Sequence, residues 1–148
     1  MATPSDTFEL IGLDAAYWAC ADRRNDTDAG SLFTESGILQ LGSMELKGRR
    51  AIQEFFAARN EDNVRTKRQT RHVVSGLDVS VHDAEHATLT SVLVVFAGHG
   101  ELPIASDLPS TIADVSDVCI RGPEGEWLFE RRSIHPIFVG PGAAKFAR

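Results

Sequence analysis

The chain has 148 residues, of which 43% are hydrophobic and 24% charged, with a formal net charge of −6 at pH 7. This length and composition are typical of one globular domain with its own core, so we expect a single domain over residues 1–148. The acidic balance excludes nucleic acid as the main partner, because phosphate binding needs clustered Lys and Arg. The one short basic run, residues 65–71, is expected to be a solvated loop.

The sequence carries no signal for export or for a membrane. The N-terminus lacks a basic segment followed by an apolar run, and no stretch approaches about 18 uninterrupted apolar residues. We therefore expect no signal peptide, no membrane partner and a cytoplasmic location. Cys20 and Cys119 lie in apolar surroundings, which favours reduced core residues without excluding a disulfide.

Helical patterns come first along the chain, interrupted by a short hairpin. Ser5 or Asp6 can cap the first helix, and the polar residues 25–28 can cap the second. A polar loop over residues 60–70 is expected after the third helix. The expected helices cover residues 5 to about 24, a short stretch that includes 32 and 33, and 49 to about 59, and the hairpin strands cover 37–41 and 44–46.

The second half of the chain has strand patterns. The expected strands cover residues 71–81, 87–97, 111–121 and 127–137. His72 and Val74 alternate oppositely to the apolar residues that follow them, and a bulge at residues 75–76 would bring both sets onto the inner face. The segment 98–110 contains two glycines and two prolines, so we expect a loop that covers part of the molecule.

This order of elements predicts an α+β fold. We expect one curved antiparallel sheet with three helices packed on its concave face, which leaves an apolar cavity open at one end. The tail after Pro136 is expected to pack loosely or at a subunit contact.

A carboxylate ends an apolar stripe of the first helix. Asp22 follows Ile11, Ala15 and Trp18 at helical spacing, near the C-terminal end, where the helix dipole disfavours an anion. A carboxylate placed against both burial and dipole needs a partner. We predict that this partner is His72 and that the pair is the centre of a small cavity enzyme.

Five segments carry a resemblance to a known family over roughly residues 8 to 135. They are Tyr17–Asp22, Leu32–Gly37, Gly48–Ile52, Arg71–Val74 and Gly125–Arg132. In these segments the chain resembles the NTF2-like (cystatin-cone) superfamily and, within it, the SnoaL-like branch. The resemblance implies the cone fold with its cavity. It does not single out an activity, because the fold hosts dehydratases, cyclases, isomerases and non-catalytic modules.

The resemblance also implies a set of site residues. Dehydratase and dehydrochlorinase members use an Asp on the first helix and a His at the start of the third strand, and Asp22 and His72 match these positions. Bile-acid dehydratase relatives add a tyrosine where Tyr17 stands, and the dehydrochlorinase type adds an arginine where Arg132 stands. Asp22 would orient His72 for proton abstraction from carbon. Tyr17 would donate to a leaving oxygen or a carbonyl, and Arg132 would stabilise developing negative charge.

Other interpretations of these residues remain open. Tyr17 lies about 140° around the helix from Asp22, so it can be a core aromatic. Arg132 can be a structural partner of Glu130 or Asp117. Scytalone dehydratase differs from this chain in having a tyrosine at the position of Ala21 and a second histidine on the next strand, so scytalone is not the expected substrate.

The predicted function is that of a cofactor-independent lyase or isomerase that acts on a hydrophobic small molecule and needs no metal. The residues expected to bind this substrate are Trp18, Phe55, Phe56, Phe96 and His99. The alternatives are a non-catalytic assembly module, similar to the small subunit of ring-hydroxylating dioxygenases, and a polyketide cyclase. The apolar convex face of the sheet predicts a homodimer or a higher homo-oligomer.

Overall fold

The computed structural model describes residues 3–147, so residues 1, 2 and 148 of the predicted domain lie outside the described part. Within these described residues, two α-helices, two short 3₁₀ turns and six strands form an α+β fold. The helices are α1 (Pro4–Ala21) and α2 (Arg49–Thr66), and the 3₁₀ turns are Ala29–Leu32 and Lys145–Ala147. The strands are β1 (Phe33–Leu41), β2 (Met44–Lys47), β3 (Arg68–Val81), β4 (His86–His99), β5 (Thr111–Arg121) and β6 (Trp127–Val139).

The strands form a single curved sheet in the order β2-β1-β6-β5-β4-β3. The run from β3 to β6 is antiparallel, as the sequence predicts, and so is the β1–β2 hairpin. The pairing of β1 with β6 is parallel and was not predicted. No local turn joins these two strands, so their relative direction is set by the path of the whole chain.

Helix α1 begins at Pro4 with a capping box on Thr3, two residues before the earlier of the two predicted caps. The Thr3 hydroxyl accepts a hydrogen bond from the Asp6 backbone N–H at 3.1 Å, and the Asp6 carboxylate accepts one from the Thr3 backbone N–H at the same distance. The cap is therefore Thr3 and not Ser5 or Asp6. The helix ends at Ala21, with Asp22 as its C-cap, rather than near residue 24, because Arg23 adopts a left-handed conformation with φ of 55°.

Helix α2 continues to Thr66, so the predicted loop over residues 60–70 is wrong. The added turns are polar in sequence, but they bury Asn63, and the pair of Asp62 with Arg65 supports the outer face. The helix stops where Lys67 takes a left-handed conformation, and β3 begins at the next residue. The basic run therefore spans a helix end and a strand start and is not a solvated loop.

The predicted bulge in β3 is confirmed. The pairing with β4 shifts between Ser75 and Asp78, and Gly76 has a φ of 62°, a conformation that side chains with a Cβ rarely adopt. As a result, Val74 before the bulge and Leu77 after it both pack against the core.

The loop after β4 and the tail after β6 differ from expectation at their boundaries. Strand β4 extends to His99, so the predicted loop starts at Gly100. Strand β6 extends to Val139, and the tail then folds back so that the ring of Phe146 lies 5.6 Å from that of Phe55, centroid to centroid. The tail therefore packs against α2 rather than loosely.

The core lies between the helices and the concave face of the sheet. Its large buried members include Leu10, Phe33, Leu39, Ile52, Leu89, Val115 and Phe129. Cys20 and Cys119 are buried there as free cysteines, which decides the question that the sequence left open. No helix among residues 3–147 combines the length and apolar composition needed to cross a membrane.

Candidate active site

A cavity of about 470 Å³ lies between α1, α2, the concave face of the sheet and the C-terminal tail. Most of its exposed lining is apolar, from Trp18 on α1, Phe55 and Phe56 on α2, Leu93 on β4 and Ile134 on β6. Polar side chains also line the cavity, among them His72 and Thr70 on β3. A mainly apolar chamber with polar groups on its wall is the usual form of a small-molecule site.

Asp22 is held by three hydrogen bonds at the end of α1. Its Oδ1 accepts from the Thr70 hydroxyl at 2.9 Å and lies 2.5 Å from Nδ1 of His72, and its Oδ2 accepts from the His72 backbone N–H at 3.0 Å. Asp22 as a whole is 5% exposed. Burial acts to raise the pKa of Asp22, but these hydrogen bonds and the attraction of His72 together hold it below 3.8. Asp22 is therefore ionised and oriented at neutral pH.

His72 presents its ring to the cavity. The ring stacks on Trp18 at 4.9 Å between centroids, with an angle of 21° between the planes. Because the ionised Asp22 accepts at Nδ1, the neutral ring carries its proton there and keeps a lone pair on Nε2. Among the described residues Nε2 has no hydrogen-bond partner. The structure thus brings Asp22 and His72 together as an oriented carboxylate–imidazole pair.

The surroundings of His72 favour its neutral form. Burial lowers the pKa of His72 below its ordinary value of 6.5, and the positive charges of Arg59 and Arg132 act in the same direction, while Asp22 opposes them. A neutral imidazole at physiological pH is the form that accepts a proton.

Arg132 is not among the residues that line the cavity, so the structure does not place it where it would stabilise negative charge on a substrate. It is fully buried between Asp117 and Asp14, with Nε donating to Asp117 at 3.0 Å and Nη2 donating to Asp14. Its guanidinium also lies 4.6 Å from the centre of the Trp18 ring. Burial raises the pKa of Asp117 to about 6, against the attraction of Arg132.

The buried network of Arg132, Asp14 and Asp117 instead supports the site indirectly, through Trp18. The Trp18 indole N–H donates to Asp14 at 3.1 Å, and the same indole stacks on His72. Arg132 therefore belongs to the layer that fixes Trp18, one contact away from the pair.

Tyr17 lies at the base of the cavity, in an aromatic cluster with Trp18, Phe33, Phe56 and Phe129. Its hydroxyl has no hydrogen-bond partner among residues 3–147. Burial raises the pKa of Tyr17 well above its ordinary value, so the phenol stays protonated and keeps a proton to donate.

The predicted substrate-binding residues divide into two groups. Trp18, Phe55, Phe56 and His99 line the cavity. Phe96 does not, because Leu93 and Val95 of the same strand face the cavity and successive side chains alternate between faces. Phe96 instead lies on the outer face of the sheet, so its prediction is wrong.

Several groups at the site were not predicted. Thr70 binds Asp22, and a signal for it exists, since a residue two positions before His72 shares its face of the strand. Arg59 lines the cavity one helical turn after Phe55 and Phe56. The tail residues Gly142 and Phe146 also line it, and their sequence carries no sign of this. Among residues 3–147 no cluster of three His, Cys, Asp or Glu side chains is placed to hold a metal ion.

Comparison with known proteins agrees with this architecture. Residues 6–133 match the sequence pattern of the SnoaL-like domain. No curated protein matches the chain in sequence.

Three similar solved structures illustrate the likeness. ActVI-ORFA of Streptomyces coelicolor is 24% identical, with a TM-score of 0.75 over 93% of this chain and 100% of its own. A candidate scytalone dehydratase of Novosphingobium aromaticivorans is 14% identical, with a TM-score of 0.75 over 95% and 90%. A protein of Catenulispora acidiphila, solved in complex with S-DNPA, is 19% identical, with a TM-score of 0.71 over 90% and 95%. These likenesses establish the fold, a cystatin-like cone.

Proposed function

The chain belongs to the SnoaL-like domain family, and from that premise we propose that it is a cofactor-independent lyase or isomerase acting on a hydrophobic small molecule. One observation carries the proposal. An imidazole with a free nitrogen, held by a buried carboxylate 2.5 Å away, lines an apolar cavity. This arrangement suits the removal of a proton from carbon, because a weakly acidic C–H group is deprotonated best by an oriented base in a site of low polarity.

In the proposed reaction, Nε2 of His72 removes a proton from the carbon next to a carbonyl group. The electron pair of the broken C–H bond forms a C=C bond as a hydroxyl or halide leaves from the neighbouring carbon. Asp22 stabilises the imidazolium that forms, and its lowered pKa keeps it from taking the proton itself. A leaving hydroxyl takes a proton from Tyr17 or from the imidazolium and departs as water.

The cavity also supports a catalytic role over a purely structural one. A non-catalytic assembly module would have no need of a chamber that opens beside a hydrogen-bonded Asp–His pair. The candidate dehydratase among the structural relatives supports the same choice. A cyclase would begin with the same proton abstraction, and it differs in the product, which keeps the mass of the substrate or loses water only after ring closure.

Two readouts on bicyclic aromatic ketones test the proposal. Deuterium exchange at the carbon next to the carbonyl of α-tetralone, followed by NMR, reports proton abstraction alone. Loss of water from 3-hydroxy-1-tetralone, which gives 1-naphthol, reports elimination. We expect the wild type to accelerate the exchange, and His72→Ala to lose about a hundredfold or more of that rate. Asp22→Asn should lose a similar factor, because the ring is no longer held in the productive tautomer.

The control is His135→Ala, which removes an exposed histidine of β6 and should leave both rates unchanged. Thermal unfolding curves verify that each variant is folded. Equal rates for the wild type and a folded His72→Ala variant on every ketone that binds would refute the proposal. Exchange without elimination would assign the isomerase alternative.

A further inference from the structure

Arg59 is a cavity arginine that forms no salt bridge with an acidic residue of the described chain. It extends from α2, is half-buried and lines the same chamber as His72. Its Nη1 donates a hydrogen bond to the carbonyl oxygen of Ala21, 2.7 Å away at the end of α1. That is its only hydrogen bond to residues 3–147, and no carboxylate of those residues forms a salt bridge with it. Its remaining N–H groups are unsatisfied by the described residues.

Arg68 is a second cation on the wall of the same chamber. It is half-buried at the first position of β3, and its Nη2 donates to the Gly142 carbonyl of the tail at 3.2 Å. Within residues 3–147 it also lacks a salt bridge. Asp62 also lines the chamber and attracts Arg68, but its carboxylate forms a salt bridge with Arg65, three residues along α2.

The two arginines and His72 lie in one local field of positive charge. Burial lowers the pKa of Arg59, and repulsion from Arg68 adds to that effect. Burial also lowers the pKa of His72, and repulsion from Arg59 adds to it in turn. Asp22 attracts Arg59, but its oxygens already accept hydrogen bonds from Thr70 and His72. In a chain of net charge −6, such a cluster of cations with few acidic partners is a local exception.

We propose that the ligand of this cavity carries a carboxylate group, which Arg59 binds and Arg68 attracts, while its apolar body lies against Trp18, Phe55 and Phe56. Half-buried positive charge costs free energy that a bound anion recovers, and the planar guanidinium fork matches a carboxylate. The chamber is large enough for an aromatic ring system beside the acid group. The inference rests on the proposed function for the fate of the ligand, though not for its binding.

Naphthoate and the corresponding naphthamide test the proposal, because they share one ring system and differ mainly in charge. Isothermal titration calorimetry should show that the wild type binds naphthoate about tenfold or more tightly than naphthamide. The preference should shrink as salt is added, because screening weakens the attraction of half-exposed charges.

Three variants locate the preference. Arg59→Met should bind naphthoate as weakly as naphthamide, with the naphthamide affinity unchanged within about twofold. Arg59→Lys should keep part of the preference, since it retains the charge without the fork. Arg50→Met is the matched control on α2, because Arg50 is exposed and pairs with Glu54, and it should behave as the wild type. If Arg59→Met does not fold, Arg59→Lys and Arg68→Met carry the test.

Equal affinity of the wild type for both probes, no binding of either probe, or a preference that survives in Arg59→Met each overturns the inference. An Arg59→Met variant that slows deuterium exchange but keeps the preference also overturns it, since Arg59 would then act only on an oxyanion formed in the reaction. A preference for naphthoate with no exchange on any ketone, carboxylated ones included, refutes the proposed function and leaves this inference standing. Deuterium exchange on neutral ketones, with no preference for naphthoate over naphthamide, refutes this inference and leaves the proposed function standing.

Discussion

At the scale of single residues, the position of Asp22 and the protonation state of His72 decide what the cavity can do. The carboxylate ends its helix facing inward, where three hydrogen-bond donors from β3 satisfy it. The imidazole is neutral because it is buried near two arginines, although a carboxylate contacts it. The pair is therefore poised to accept a proton without being charged beforehand.

The pKa of His72 can be measured directly by NMR titration of its ring protons, with His72→Ala to assign the signal. We expect a value below 6.5 in the wild type, because burial outweighs the attraction of Asp22. The charged groups that act on the ring are Asp22 at the end of α1, Arg59 from α2 and Arg132 from β6. Arg59→Met should raise the pKa by removing a positive charge, and Asp22→Asn should lower it by removing a negative one.

The same shift determines how stability depends on pH. The pKa of His72 is lower in the folded chain than in the unfolded chain, so protonation favours unfolding. The contribution of His72 to the free energy of unfolding is complete above about pH 6.5. It is lost as the pH falls from there through the pKa of His72 in the folded chain. A wild-type pKa above 6.5, or shifts of the wrong sign in the two variants, contradicts this account of the site.

At the scale of elements, the bulge in β3 is the feature that places His72 on the inner face. In a regular strand, His72 and Leu77 would lie on opposite faces of the sheet, because they are an odd number of residues apart. The extra residue of the bulge at Ser75 and Gly76 puts both on the inner face. The bulge lets Thr70 and His72 face the cavity while Leu77 and Val79 still cover the core. The bulge in β3 therefore serves both the packing of the core and the geometry of the site.

A pair of glycine substitutions tests this role of backbone conformation. An added Cβ meets nothing within 4 Å at either Gly76 or Gly12, so neither change is limited by space. Gly76 has a φ of 62°, so Gly76→Ala should destabilise the fold by about 1 kcal/mol. Gly12 is exposed in the middle of α1, so Gly12→Ala should stabilise it by about 0.5–1 kcal/mol. Urea denaturation measures both, and effects of the same sign would argue against the assignment.

At the scale of the whole molecule, the sheet has two different faces. The concave face holds the core and the cavity, while the outer face of β3, β4 and β5 exposes Val73, Val92, Phe96 and Val118. Apolar side chains that share one face of a sheet are typical of a contact between protein surfaces. The predicted self-association of the chain would cover them, and it would leave the cavity on the opposite side free.

Light scattering after size-exclusion chromatography tests that prediction. The wild type should elute as a homodimer or higher oligomer, and Val92→Lys should shift it to the monomer, because a buried unpaired ammonium opposes the contact. Phe8→Lys is the control, since Phe8 is exposed on α1 away from the sheet. A monomeric wild type, or a Val92→Lys variant that still associates like the control, refutes the assignment of this face.

The sequence alone determined much of the framework. Periodicity predicted the strand-rich second half and the first helix, and the parity change after Val74 with a glycine beside it predicted the bulge. The resemblance then singled out Asp22 and His72 as two residues that belong together. These features can be predicted because they depend on local spacing or on short segments that resemble the family, and neither requires knowledge of how distant parts of the chain meet.

Only the tertiary structure decided which charged and aromatic side chains face the cavity. Arg132 is buried because Asp14 and Asp117, from two other elements, meet it there. Phe96 faces outward because it is paired with Arg71, one residue away from the inward pair of His72 and Val95. The sequence does not show this, since residues on both faces of this part of the strand are apolar. Arg59 faces the chamber because the end of α1 accepts its hydrogen bond. Each outcome depends on contacts between segments far apart in the chain, and local spacing does not encode such contacts.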